Sequence, residues 1–111
     1  MNKVPEYEIT IHAGVDYAID FAYEDDNDNV VSAEGWTIEA QLRDYKEAAN
    51  AFEFECSSDE EGFHLRMDRE TTGQINFKNG VYDVFITTPD GSIRDKLIMG
   101  TALIYTPEVT R

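Results

Sequence analysis

The sequence is short of the features that mark several large classes of protein. Cys56 is its only cysteine, so an internal disulfide and a cysteine-built zinc site are both excluded by count. Lysine and arginine number 9 against 23 aspartates and glutamates, a formal net charge of −14, and no basic run occurs anywhere. Nucleic acid is disfavoured as a partner on those terms, because its binders gain affinity by placing cations on phosphates. An anionic membrane surface is no better. No apolar run approaches the ~20 residues that a spanning helix needs. Met1 to Glu6 lacks the apolar stretch of a signal peptide, which leads us to expect a soluble protein made in a cytosol.

Catalytic signatures are equally scarce. There is no G-x-S-x-G, phosphate-binding loop or H-x-x-E-H spacing. The two histidines, His12 and His64, both fall on the polar phase of their segments. Cys56 keeps phase with Phe52 and Phe54, which predicts a buried, unreactive thiol. With 23 acids, close carboxylate pairs arise by chance and carry no information. We therefore expect no enzyme and no cofactor.

What the chain does have is period-2 alternation and enough apolar material for a core. Its 111 residues are 41% hydrophobic and 12% aromatic, which suits one domain spanning 1–111 without metal or disulfide staples. Tyr7 to His12, Asp16 to Tyr23 and Trp36 to Arg43 each alternate apolar with polar, the pattern of half-buried strands. Val30-Val31 reads as the return after a polar turn, and Tyr45 to Ala51 as a loop or short helical turn. Phe52 to Cys56 and Phe63 to Met67 read as a hairpin joined by the polar stretch Ser57 to Gly62. Asp68 is placed to cap one helical turn. Val81 to Thr88, the turn Pro89-Asp90-Gly91-Ser92 and a long run from Ile93 to Tyr105 follow, with a bulge or bend expected at Gly100. The sum is an all-β fold: an immunoglobulin-like antiparallel β-sandwich of about seven to eight strands with one short helical turn. The expected core is Ile9, Ile19, Phe21, Trp36, Ile38, Leu42, Phe54, Leu65, Val84, Ile86 and Leu103.

Three sets of residues are candidates for function. Asp25-Asp26-Asn27-Asp28-Asn29 opens like a calcium loop but has Val30 where a glycine is needed and Trp36 where a bidentate glutamate is needed, so no tight metal site is expected. Tyr17, Phe21 and Tyr23 form a row of rings suited to the core, to a protein contact or to sugar stacking. The last strand is apolar in both phases, with Leu97, Met99, Leu103 and Tyr105 on one side and Ile98, Ala102 and Ile104 on the other. A strand with two apolar faces must meet something on each, and Leu97, Met99, Leu103 and Tyr105 are the candidate interface.

The order of short features resembles a known group. A Gly-x-Asp turn at Gly14 to Asp16 is followed by Gly35-Trp36 leading to Ala40-Gln41-Leu42-Arg43, then Leu65-Arg66-Met67 and Glu70-Thr71-Thr72. Gly80-Val81-Tyr82-Asp83-Val84, Asp90-Gly91, Gly100 and Val109-Thr110-Arg111 complete it. This order resembles the immunoglobulin-like N-terminal domain of upper-baseplate and tail-fibre proteins of tailed bacteriophages. The resemblance implies a virion structural protein of the tail, baseplate, collar or fibre attachment, whose partners are other virion proteins and copies of itself. The alternatives are a head decoration protein, a small carbohydrate- or ligand-binding module, and a polyanionic inhibitor that mimics DNA charge.

Overall fold

Alternation becomes strand wherever one phase can be buried. In the computed structural model, which describes residues 4–24, 27 and 29–106, the described residues form eight strands and one helical turn. The strands are β1 (Ile9–His12), β2 (Tyr17–Phe21), β3 (Thr37–Arg43), β4 (Ala51–Glu53), β5 (Glu55–Asp59), β6 (Gly62–Met67), β7 (Asn79–Thr87) and β8 (Arg94–Tyr105), with α1 (Arg69–Thr72) between β6 and β7. One sheet runs β1-β8-β7-β3-β4 and the other β2-β6-β5. Five strands facing three, with the second, fifth and sixth strands set against the third, seventh and eighth, is the arrangement of an immunoglobulin-like sandwich.

The core lies between the sheets. Ile38, Ala40 and Leu42 of β3, Tyr82, Val84 and Ile86 of β7, Phe63, Leu65 and Met67 of β6, and Ile9 and Ile11 of β1 are all buried. Phe54 sits between β4 and β5, where the chain leaves one sheet for the other, and is buried at the crossing. Asp68 caps α1 as its position indicates, its Oδ1 accepting from the Thr71 amide at 2.8 Å. Thr72 is fully buried there, and its hydroxyl donates to the Val15 carbonyl at 2.9 Å while accepting from the Gly14 amide at 3.0 Å. This bond set locks the helical turn to the β1–β2 connection.

Several details depart from the sequence reading. The sandwich is not wholly antiparallel, because β1 pairs with β8 in parallel, Ile9 opposite Ala102 and Ile11 opposite Ile104. Alternation marks a strand but carries no record of its partner. The irregularity in β8 falls at Leu97, where Val84 faces Ile98 but Phe85 faces Lys96, and not at Gly100. The extra residue resets the phase, so Ile98, Ala102 and Ile104 are buried and Leu103, expected in the core, is a half-buried residue of the opposite face. Gly100 serves another purpose: a Cβ there would collide with the main chain of Tyr7, which lies directly against it. Ile19, Phe21 and Trp36 are half-buried and pack against the core from its edge. Ser57 to Asp59 is strand rather than loop, because pairing with β6 outweighs the low strand preference of serine and aspartate. Residues 45–49 form turns with no helix, and Val30 makes a single bridge to Glu24.

Candidate interaction face

The outer face of the five-stranded sheet is unlike a simple solvated surface. Register places Asn79, Val81, Asp83 and Phe85 of β7 beside Leu103, Thr101, Met99 and Lys96 of β8, with Glu6, Glu8 and Thr10 on one flank and Glu39, Gln41 and Arg43 on the other. Val81, Phe85, Met99 and Leu103 are half-buried and Tyr105 is 54% exposed. The His12 ring stacks on Tyr105 at 5.5 Å between centroids. An apolar stripe thus runs down the face from Phe85 to Tyr105.

Charges frame the stripe in opposite-sign contacts. The Arg94 guanidinium lies 3.9 Å from the Phe85 ring centroid and Lys96 Nζ 5.1 Å from it, a cation–π arrangement that covers the ring without closing it off. Arg94 Nε stands 3.8 Å from Glu39, and Lys96 Nζ 3.8 Å from Asp83. Arg43 donates to the Ala48 carbonyl and, at 3.1 Å, to Gln41 Oε1, while Gln41 Nε2 donates to Glu53 at 3.0 Å. The curled sheet forms the floor of an open groove of about 1040 Å³ lined by four cations and five anions. That groove carries −1 of a total −14. The acidity resides elsewhere.

Of the proposed interface residues, Met99 lines the groove, and Leu103 and Tyr105 continue the stripe beyond its end. Leu97 is not brought to this face; as the bulge residue it packs against the core. The Tyr17, Phe21 and Tyr23 row packs against the core as well, Tyr23 lying 5.1 Å from Trp36 and 5.5 Å from Phe63, and Tyr17 6.2 Å from Phe54. Burial pushes the Tyr17 hydroxyl up to about 12. The Cys56 thiol is half-buried and donates to the Phe54 carbonyl at 3.4 Å, and its burial raises its pKa. Asp25, Asp26 and Asp28 of the acidic loop, and Val109, Thr110 and Arg111, lie outside the described residues. Among the described residues no three His, Cys, Asp or Glu side chains are grouped to hold a metal ion, and no helix is long and apolar enough to cross a membrane.

Sequence reasoning missed a charge cluster on the opposite sheet. His64 Nδ1 lies 2.8 Å from Asp20 Oδ1, and Nε2 lies 2.9 Å from Asp59 Oδ2. The carboxylates at Asp59 and Asp20 raise the His64 pKa, and His64 lowers both of theirs. Asp20 also accepts from Arg66 at 2.8 Å. The polar phase of His64 was legible, but partners 44 residues and 5 residues away on neighbouring strands were not.

No protein-family model and no curated protein sequence matches the chain. Among solved structures, it is similar to a chain from a photo-crosslinking study of the multimeric cell-adhesive interactions of VGSC beta subunits, at 10% identity over 93% of each chain, with a TM-score of 0.47.

Proposed function

We propose that the chain is a non-enzymatic assembly module that acts through protein–protein contacts, and that its setting is a tailed-phage virion. The observation that carries the first part is the apolar stripe of Val81, Phe85, Met99, Leu103 and Tyr105, running along a groove whose charges nearly balance. The remaining charge of about −13 repels other acidic surfaces, a repulsion that the balanced groove does not add to. Aromatic and methionine side chains at the centre of such a face are the residue types on which interfaces depend. The second part rests on the ordered sequence features from Gly14 to Arg111 that resemble phage baseplate and fibre domains; its localisation is then the virion, with synthesis in the host cytoplasm.

The test places charge on the stripe. Met99→Asp and Tyr105→Asp alter half-buried and exposed positions, so the variants are expected to keep the wild-type circular dichroism spectrum yet drop out of purified particles. Particles that incorporate both variants as well as wild type would remove this face as the docking surface. Particles that contain no copies of the wild-type chain would remove the virion setting.

A further inference from the structure

A different part of the molecule, independent of the outer face, offers a second contact. Because β1 joins β8 in the five-stranded sheet, β2 is left as an edge of the three-stranded one, paired among the described residues with β6 alone. The inward residues of β2 show the effect. Tyr17, Ile19 and Phe21 are only half-buried, while Phe63, Leu65 and Met67 on the adjacent β6 are at most 2% exposed. A three-stranded sheet is too narrow to cover a five-stranded one, and both of its edges show the deficit: Cys56 and Ser58 of β5 are half-buried as well, but at β2 the half-buried residues are large and apolar. Tyr17–Phe21 contains no lysine or proline, its register with β6 is unbroken, and Asp20 is the one charge within the strand.

The geometry points to a second copy of this chain as the occupant, adding its own β2 antiparallel to the first about a two-fold axis at Ile19 and joining the two three-stranded sheets into one of six. Antiparallel neighbours share a face only when directly opposed residues have the same parity. Centring on Ile19 therefore sets Ile19 against Ile19, Tyr17 against Phe21 and Ala18 against Asp20. The inward face gains apolar and aromatic cross-strand pairs. The outward face opposes no like charges, and Asp20 is already held by Arg66 and His64. The edges at β5 and β1 fit a copy of themselves less well. β5 centred on Ser57 would set Glu55 against Asp59, and the inward residues of β1, Ile9 and Ile11, are already buried. The contact is isologous, so it closes at two copies.

Sedimentation of the full chain against concentration tests this, in low and in high salt. The average mass is expected to move from 12.6 kDa toward twice that value, and to do so more readily in high salt, which screens two charges of −14. Ala18 is exposed, so its variants leave the fold intact. Ala18→Glu sets a carboxylate against Asp20 twice per dimer and is expected to weaken association roughly fivefold, and Ala18→Lys to strengthen it by a similar factor. Thr37→Lys, the same charge change on the other sheet, should move it less than twofold. A chain that stays monomeric at high concentration in high salt overturns the proposal. So does a dimer that responds alike to both Ala18 variants, or one abolished by Met99→Asp and indifferent to Ala18.

Discussion

The Tyr82 hydroxyl donates to the Tyr7 carbonyl oxygen at 2.6 Å, joining β7 to the segment that leads into β1 across the strand between them. Tyr82 stands opposite Gly100 in the β7–β8 ladder, and the missing side chain at Gly100 lets the Tyr7 main chain close in. The Tyr7 amide in turn donates to the Met99 carbonyl at 2.9 Å. Tyr7, Tyr82 and the pair Met99-Gly100, far apart in the chain, thus fix where the first strand joins the sheet.

Removing one member of that set should show which part matters most. Tyr82→Phe deletes a single hydrogen bond and should cost about 1 kcal/mol in urea unfolding. Gly100→Ala forces the Tyr7 backbone away and should cost about 1–3 kcal/mol, the range of overpacked cores. Equal losses would mean that the close approach contributes nothing beyond the bond.

The aromatic cluster at the other end separates core from edge. Phe63 is fully buried and touches both Tyr23 and Trp36, so Phe63→Ala should cost about 3–5 kcal/mol. Trp36 is half-buried, and Trp36→Ala should cost less than Phe63→Ala although it deletes the larger ring. Denaturant midpoints for the two variants give the order directly.

The His64 cluster makes stability depend on pH in a defined window. Its raised pKa means that the protonated imidazole favours the folded state. That contribution is complete below the unfolded value of about 6.5 and fades as pH rises through the elevated folded one. Asp20 and Asp59 are lowered, so their contribution is present above about pH 4 and is lost as pH falls. The cluster should therefore stabilise most between about pH 4 and 6.5. His64→Gln is expected to flatten the decline above about pH 6.5 in thermal melts. An unchanged profile would show that the two carboxylates do not hold the charged ring.

Asp90 offers a cleaner acid-side case. Its carboxylate accepts from the Thr88 hydroxyl at 2.6 Å and from the Ser92 amide and hydroxyl at 2.9 and 2.7 Å, which holds its pKa down to about 2. Asp90→Ala should melt earlier than wild type above about pH 4, and the difference should vanish as pH falls through about 2. A gap that persists at the lowest pH would assign the effect to turn geometry rather than charge.

Legibility followed locality. Ile38, Ala40 and Leu42 announce a core phase within seven residues of β3, and the Asp68 cap needs only Thr71 beside it. Leu103 was misplaced because one inserted residue at Leu97 inverts every later assignment in β8. That inversion also accounts for part of the double apolar phase, since Leu97 packs inward and Met99 outward. The interface stripe was visible at Met99, Leu103 and Tyr105, but not its companions Val81 and Phe85, whose place depends on the β7–β8 register. Neither the parallel partner of β1 nor the carboxylates around His64 has any local signature.

The parallel union of β1 with β8 also sets how the molecule would carry tension. The chain enters β1 beside the middle of β8 and leaves β8 at Tyr105, next to the end of β1. A pull between the segments before Pro5 and after Tyr105 therefore drags the two strands past each other along their length. Such a shear loads the whole ladder from Tyr7 to Ala13 at once, instead of parting its bonds in sequence like a zip. Strain applied through the ends is shared by the whole β1–β8 ladder.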